Sequence, residues 1–452
     1  MKLSPVVLLL TGCSYFTDSF AVDRFSGDPF PTTVETSSGA LVLGLGFPDQ
    51  PIHTAVLDVM SPFTVIDVGA KGTERIEQRD LELYGQRSIG APFDLARARF
   101  YQPDVLSLHP CASEPCVVGT PAAPREFDAI LGMSSLVGDA LRLDLATDPT
   151  TTADLIYLLP SIAGSEHSRT YSCDGVFPAS YRGGGQAIIG GTEVPFAPSR
   201  VTVDVCLAPD PDPAILQSQR GVDALFVAST AIGISLIDRS AYARYRQLVT
   251  TAPDPESLPD DSALLPSGPV MGKRTNIATL DFTGKSTSNP RSPCRQAYAS
   301  RLMLERNCAP GDDCPCIATD RDNGTYCGAP AIVELAPPGG FEVLVIDDND
   351  PTLQALRTEL RPDQPEVDGV LGTSALRYLE VDLDQPNNRM LMRCQNVADH
   401  RTCAVRPEIF NEPPDGDEVD HRRQIAGCIG PSTSSRSGFS PPRPGARGRP
   451  RR

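Results

Sequence analysis

The sequence has no long hydrophobic run and lacks the short motifs that mark several enzyme classes. It contains no HExxH and no complete GxSxG, and Thr279 stands where a Walker A loop needs its first glycine in "TLDFTGKST". These absences argue against zinc peptidases, serine hydrolases and P-loop nucleotidases. The five histidines are scattered and "NCAPGDDCPC" has no paired CxxC spacing. We therefore expect no metal and no other cofactor.

Positive charge is also scarce outside the carboxyl end. The formal net charge is -17, although the stretch after Gly430 carries six arginines and no acidic residue. The rest of the chain is therefore strongly acidic, which excludes nucleic acid as an expected partner. The arginine- and proline-rich tail at 431–452 has few apolar residues, so we predict that it is disordered.

The amino end, "MKLSPVVLLLTGCSYF", has a single lysine and an apolar run too short to span a bilayer. It resembles a bacterial lipoprotein signal that ends at Leu10-Thr11-Gly12-Cys13. The resemblance implies removal of residues 1–12 and lipidation of Cys13, and Ser14 favours the outer membrane of the cell envelope. An ordinary secretory signal and a misassigned start are the alternatives.

Cysteine usage fits an exported protein. Without Cys13, twelve cysteines remain, an even number that predicts up to six disulfides in an oxidising compartment. Zinc binding by Cys308, Cys314 and Cys316 is the alternative, and their spacing favours disulfides. The pairing cannot be deduced from the sequence.

Short apolar or alternating runs separated by turn residues fill the body of the chain. Runs such as "ALVLGLGF", "FTVIDV", "VTVDVCL" and "FEVLVID" are rich in β-branched residues, so the sequence predicts a predominantly β fold. Two segments favour helices, "DRSAYARYRQLV" and "CRQAYASRLMLERNC". Residues 251–270 are predicted to form a loop insertion.

A weak internal repeat divides the body into two halves. "FDAILGMSSL" (127–136) and "VDGVLGTSAL" (367–376) share an acid, an apolar-Leu-Gly run and a serine. Upstream of them lie "AVLDVMSPFTVID" and "LFVASTAIGISLID", each of which predicts strand, loop and strand. The two halves are therefore expected to have similar folds.

These motifs resemble those of the pepsin-like aspartic proteases, whose two β lobes each contribute a D-T/S-G loop and an apolar-apolar-Gly strand. Asp58-Val59-Met60-Ser61 is similar to the first motif. The segment Ala231–Leu236 is similar to the second, D-T-G-T-S-L, with Ala231 in the acid position and Gly233 and Ser235 matching. "AIIGGTE" (187–193) resembles the start of the family's second lobe. "LELYGQRSIG" resembles the flap hairpin, with Tyr84 as the flap tyrosine and Arg87 departing from the pattern.

The resemblance implies an all-β, bilobal pepsin-like fold with a few short helices, and an incomplete catalytic dyad. Peptidases of this family need two carboxylates that share a proton, which is a worked case of coupled carboxylates. Asp58 is the candidate first acid, and alanine at 231 supplies none. The threonines that hydrogen-bond across the lobe interface in the family are replaced by Val59 and Ile232 in this alignment. Met60, Tyr84, Gly233 and Ser235 are the cleft and flap candidates.

Each of these residues also has an ordinary interpretation. By itself "AIGISLI" is a buried strand, Asp58 a turn or capping aspartate, and Tyr84 a core or surface aromatic. The domain organisation follows from the motifs and composition: signal 1–12, tether 13–37, first lobe 38–185, second lobe with a cysteine-rich insertion 186–396, cysteine-containing extension 397–430 and tail 431–452.

The sequence thus predicts a lipid-anchored envelope protein that is catalytically inactive and binds an extended peptide or protein segment between its lobes. Two alternatives stay open. One is an active aspartic endopeptidase with divergent motifs. The other is a structural envelope lipoprotein without a ligand.

Overall fold

The computed structural model describes residues 32–34, 38–48, 50–67, 74–86, 91–100, 103–111, 114–136, 139–145, 154–160, 175–178, 180–196, 198–208, 221–283, 294, 318–320, 326–327, 332–360, 366–385, 389–394 and 403–406. The predicted signal, Cys13, most of the cysteine-rich insertion and the arginine-rich tail lie outside these residues. No helix within the described ranges is long and apolar enough to cross a membrane.

The first lobe is built on an eight-stranded sheet. Strands are numbered in chain order, and across this sheet they are β5 (Arg75–Gln78), β8 (Asp104–Ser107), β4 (Thr64–Ile66), β11 (Ala129–Leu131), β3 (His53–Leu57), β2 (Leu41–Gly46), β6 (Leu81–Gln86) and β7 (Phe93–Phe100). The apolar run at β2 is buried on both faces: Leu41 and Leu43 pack into the main core, and Val42 packs into a smaller first-lobe cluster.

The second lobe is built on a thirteen-stranded sheet. Its main path is β10 (Ala123–Glu126), β9 (Val117–Thr120), β21 (Asp260–Leu265), β22 (Gly268–Ile277), β27 (Phe341–Ile346), β20 (Ser235–Asp238), β28 (Gly369–Leu371), β19 (Val222–Ala228), β18 (Arg200–Ala208), β23 (Thr279–Thr283), β26 (Ile332–Leu335) and β31 (Cys403–Arg406), and β15 (Ser180–Arg182) pairs with β18. Because β9 and β10 come from the first half of the chain, they tie the two lobes together.

A six-stranded sheet joins the ends of both lobes. Its order is β1 (Thr32–Val34), β13 (Asp154–Pro160), β12 (Asp139–Asp144), β29 (Leu379–Asp384), β30 (Arg389–Cys394) and β14 (Gly175–Pro178). At its centre β12 pairs with β29, and Arg142 opposes Asp382. The Arg142 guanidinium donates to both Asp382 carboxylate oxygens, at 2.6 and 2.7 Å. Such bidentate pairs are geometrically specific, so this pair supports the register between β12 and β29.

The remaining elements are two hairpins and short helices. The hairpins are β16 (Gly185–Ile189) with β17 (Thr192–Phe196), and β24 (Ala318–Asp320) with β25 (Tyr326–Cys327). The α-helices are α1 (Arg239–Leu248), α2 (Pro351–Glu359) and α3 (Thr373–Leu376), and 3-10 turns lie at Met133–Leu136 and Pro255–Ser257. The predicted all-β fold with two lobes and a few short helices is confirmed.

One of the two helix predictions is confirmed. Helix α1 falls within "DRSAYARYRQLV", and Asp238 caps it by accepting a hydrogen bond from the Ala241 backbone amide. The second predicted helix lies outside the described residues except for Cys294.

Several predicted boundaries need correction because distant strands pair with the segments concerned. The predicted tether contains Thr32–Val34, which pairs with β13. The predicted loop at 251–270 contains the whole of β21 and the start of β22, with a tight turn between them. The predicted extension contributes Cys403–Arg406, which pairs with β26. Ser180–Arg182, predicted in the first lobe, pairs with β18 of the second.

Two disulfides join described cysteines. Cys111 is bonded to Cys116, and Cys206 to Cys294. The disulfide prediction is therefore confirmed for these four residues.

Candidate functional site

The two halves place equivalent strand-loop-strand units on either side of the lobe interface. In the first lobe, β11 lies between β3 and β4 and aligns Leu131 with Leu57. In the second, β28 lies between β19 and β20 and aligns Leu371 with Ala228. In each unit a loop leaves one outer strand and returns along the other, which is the arrangement that positions the catalytic loops in the family named above.

Hydrogen bonds fix which residues of the two loops correspond. The Asp58 amide donates to the Leu131 carbonyl at 3.0 Å, and the Ser229 amide donates to the Leu371 carbonyl at 2.9 Å. Since Leu131 and Leu371 hold equal places in the repeat, Ser229 is the second-lobe counterpart of Asp58.

Residues further along the loops give the same register. The Thr64 hydroxyl accepts from the Gly132 amide at 3.2 Å, and the Ser235 hydroxyl accepts from the Gly372 amide at 3.0 Å. Ser235, a predicted cleft residue, therefore supports the loop from inside the lobe, where its side chain is fully buried.

The prediction that Ala231 stands in the acid position is wrong by two residues, since Ala231 corresponds to Met60. The sequence contained the signal needed to avoid this error. When "AVLDVMSPFTVID" and "LFVASTAIGISLID" are aligned at their shared Ile-Asp ends without a gap, Asp58 falls on Ser229. The similarity of "AIGISL" to the D-T-G-T-S-L motif favoured a register that differs from this one by two residues.

Asp58 and Ser229 face each other across the interface. The Ser229 hydroxyl donates to Asp58 Oδ1 at 3.0 Å, and the Met60 amide donates to the same oxygen at 2.9 Å. In the equivalent contact of the second lobe, the Ala231 amide donates to Ser229 Oγ at 3.2 Å. Asp58 is only 4% exposed and Ser229 is fully buried. The Ser229 hydroxyl thus lies opposite Asp58, at the position that corresponds to it in the second half.

One half of the threonine contact across the interface is present. The Val59 amide donates to Thr230 Oγ1 at 3.2 Å, and that hydroxyl donates to the Leu57 carbonyl at 2.6 Å. The prediction that both threonines are replaced is therefore wrong: Thr230, not Ile232, is the counterpart of Val59. Because Val59 has no hydroxyl, the reciprocal contact is absent.

Burial raises the pKa of the Asp58 carboxyl above its ordinary value of 3.8. The Met60 amide, the Ser229 hydroxyl, the Arg200 charge and the Thr230 amide oppose this rise and do not overcome it. No carboxylate appears among the described groups that shift this pKa. Among the described residues, the side chain that hydrogen-bonds to the Asp58 carboxyl is the neutral hydroxyl of Ser229.

Side chains fill the loop positions that are glycine in the family's motifs. Met60, on the first-lobe loop, packs against the second-lobe cluster that contains Ile232. Ala231, on the second-lobe loop, packs into the first-lobe cluster that contains Ile130. Each loop therefore inserts an apolar side chain into the opposite lobe, which fixes the loops by packing.

Gly233 has a steric role. A Cβ at Gly233 would lie 2.9 Å from the Gly39 Cα, and Gly39 adopts a positive φ of 81°. Two backbones meet here at the lobe interface, and larger residues would separate them.

Tyr84 lies on β6 of the predicted flap hairpin, which β6 and β7 form. A Cβ at Gly46 would meet the Tyr84 ring at 2.5 Å, so the ring lies directly over β2. The Tyr84 hydroxyl donates to Glu82 at 2.7 Å. These contacts place Tyr84 against the sheet, and its role as a flap residue stays a prediction.

Replacing Asp58 with asparagine is expected to change the pH dependence of stability. Because the folded-state pKa is raised, folding takes up a proton: the contribution of Asp58 is fully present below pH 3.8 and is lost as the pH rises through the folded pKa. The free energy of unfolding of Asp58→Asn should therefore rise relative to that of the wild type as the pH increases, by up to about 1.4 kcal/mol per pH unit in that window. Urea unfolding from pH 3 to pH 7 measures this.

Ser229→Ala is the complementary variant. It removes a hydrogen bond that lowers the Asp58 pKa, so the pH-dependent loss of stability that Asp58 causes should extend to higher pH than in the wild type, whereas Asp58→Asn should remove that loss. Equal pH profiles for the wild type and both variants would contradict a raised pKa at Asp58.

Comparisons with known proteins found similarity to solved structures at low sequence identity. No family model matches the sequence. No curated protein matches it either. The crystal structure of an aspartic proteinase from Irpex lacteus is 9% identical, with a TM-score of 0.39, over 83% of this chain and 100% of that one. The crystal structure of basic 7S globulin from soybean is 10% identical, with a TM-score of 0.38, over 80% and 94% of the two chains. The two-lobed β fold of this chain is given by its own strand order and pairing.

Proposed function

We propose that this chain is a catalytically inactive protein of pepsin-like fold that binds an extended peptide or protein segment between its lobes at the bacterial cell envelope. The observation that carries the loss of activity is the Ser229 hydroxyl 3.0 Å from Asp58. A neutral hydroxyl cannot alternate with Asp58 as the acid and base of hydrolysis.

The packing of the two loops supports inactivity independently. In the family, glycines at these positions leave room beside the catalytic acids. Here Met60 and Ala231 bring side chains to those places and pack into the opposite lobe. Asp58 is nearly completely buried, which leaves little access for an attacking water.

Peptide binding does not need the missing acid. An extended segment can add to the edge of a sheet through main-chain hydrogen bonds. Strand β7, in the flap hairpin, is the end strand of the first-lobe sheet in the described order. This edge and the loops at Asp58 and Ser229 are the surfaces that the proposal assigns to the ligand.

Incubation with an unstructured polypeptide from pH 3 to pH 7, followed by mass spectrometry, tests the loss of activity. We expect no cleavage by the wild type or by Asp58→Asn. Cleavage that Asp58→Asn abolishes would establish the active endopeptidase instead.

Binding is measured separately, by fluorescence anisotropy with a library of labelled extended peptides. Tyr84→Ala and Met60→Ala should weaken binding, whereas Asp58→Asn should not. Met271, an exposed methionine on β22, gives the matched control Met271→Ala. Absence of binding to every peptide would favour the purely structural lipoprotein.

The envelope location rests on the amino-terminal motif alone. Membrane fractionation of Cys13→Ala beside the wild type tests the lipid anchor, and equal membrane association of the two would exclude it.

A further inference from the structure

A cluster of potential metal ligands lies at one edge of the first-lobe sheet, away from Asp58. Asp67 follows β4, and His109 comes shortly after β8. The two strands are parallel, so their carboxyl ends meet at the same edge. Cys116 immediately precedes β9, and its backbone carbonyl accepts a hydrogen bond from the Phe127 amide. Three segments that are separate in the sequence therefore bring their side chains together.

The donor atoms of this cluster are close enough for one ion. His109 Nδ1 lies 2.9 Å from Asp67 Oδ1, and Cys116 Sγ lies 3.6 Å from Asp67 Oδ2. All three ligand atoms are within 4.8 Å of one another. In a tetrahedral zinc site with bonds of about 2.0–2.3 Å, neighbouring ligand atoms stand about 3.3–3.8 Å apart. A shift of the ligand atoms by up to about 1 Å would therefore complete the coordination.

The cluster is also shielded from solvent. The His109 side chain is 8% exposed and the Asp67 side chain 16%, and Cys116 is 1% exposed. Cys111, bonded to Cys116, adds a second sulfur. In the disulfide, Cys116 carries no proton to donate to Asp67 and no thiolate charge to offer a metal.

The second lobe satisfies the equivalent acid in a different way. Asp238 ends the "LID" segment as Asp67 ends "VID". Arg357 donates to Asp238 at 2.5 Å, which gives that buried acid a permanent cation. In the first lobe an imidazole and a sulfur lie beside Asp67, and both groups are able to bind metals.

We propose that Asp67, His109, Cys111 and Cys116 form a redox-dependent zinc site. A dithiol reductant breaks the Cys111–Cys116 bond: it transfers two electrons and two protons to the two sulfurs and is itself oxidised to a disulfide. Binding of Zn²⁺ then releases the two thiol protons and gives a tetrahedral site of two thiolates, one imidazole nitrogen and one carboxylate oxygen. The oxidised chain holds no zinc there.

The test is zinc stoichiometry of the full chain before and after reduction, with unbound metal removed by gel filtration. Other cysteines also become reduced, so the measured quantity is the difference between wild type and His109→Gln. We expect reduced wild type to retain one more zinc per chain than reduced His109→Gln. His53, whose Nδ1 contacts Asp128 at 3.0 Å, supplies the matched control His53→Gln, which should retain as much zinc as wild type.

Cobalt provides a second readout. Co²⁺ bound to thiolates gives a charge-transfer absorption. This absorption should be weaker in the reduced variant Cys111→Ser/Cys116→Ser than in the reduced wild type. Equal zinc content in reduced wild type and His109→Gln would overturn the proposal. So would equal cobalt absorption in reduced wild type and the double serine variant, or zinc retained by the oxidised chain and lost in His109→Gln.

Discussion

Replacing Ser229 with aspartate is expected to lower the free energy of unfolding at pH 7 by on the order of 3–5 kcal/mol, the scale of an uncompensated buried charge. The new carboxylate would stand beside Asp58, because Ser229 Oγ is 3.0 Å from Asp58 Oδ1. Two buried carboxylates at this distance cannot both ionise, so the folded variant must hold a proton at neutral pH. Stability should therefore recover as the pH falls. Urea unfolding at pH 7 and pH 4 measures the effect.

Ser229→Asn separates charge from size, since it adds similar volume without a carboxylate. At pH 7, Ser229→Asp should lose more stability than Ser229→Asn. This extra loss should disappear at pH 4, and it should also be smaller when Ser229→Asp is combined with Asp58→Asn. Equal losses for Ser229→Asp and Ser229→Asn at pH 7 would show that the two positions do not face each other.

Ala231→Asp compares the two alignments directly. It buries an acid among apolar side chains, so it should destabilise the fold by desolvation. Its interaction energy with Asp58→Asn in a double-mutant cycle should be smaller than that of Ser229→Asp. A larger interaction energy for Ala231 would favour the register predicted from the sequence.

Replacing Thr230 with valine is expected to lower the free energy of unfolding by about 2–3 kcal/mol, because buried groups lose their hydrogen-bond partner. The Val59 amide would lose its acceptor at 3.2 Å, and the Leu57 carbonyl would lose a donor at 2.6 Å. Valine matches threonine closely in volume, so the loss would report hydrogen bonding rather than packing. Thermal or urea unfolding measures it.

Thr250→Val is the control for Thr230→Val, since Thr250 is an exposed threonine of the same lobe. It should change stability by less than about 0.5 kcal/mol. If Thr230→Val were as mild as this control, the hydroxyl would not hold the lobes together.

Much of the fold was predictable because its determinants are local. Apolar and alternating runs gave most of the strands, and the "FDAILGMSSL" and "VDGVLGTSAL" repeat gave two similar halves. The repeated Leu-Gly pairs proved to be the places where β11 and β28 support the facing loops. Pairing between distant segments has no such local signature. Strand β21 was therefore predicted as part of a loop, β1 as part of a tether, and β31 as part of a cysteine-containing extension.

The sequence by itself determined that Asp58 has no carboxylate partner at the second-lobe motif, and this holds in either alignment, since both Ala231 and Ser229 lack an acid. Only the tertiary structure decided which residue faces Asp58. The alignment of a single strand can be shifted by two residues while every side chain stays on the same face of the sheet. The spacing of apolar residues therefore did not fix the register. The hydrogen bonds from Asp58 to Leu131 and from Ser229 to Leu371 fix it, and those bonds form only when β11 and β28 are threaded between their neighbours.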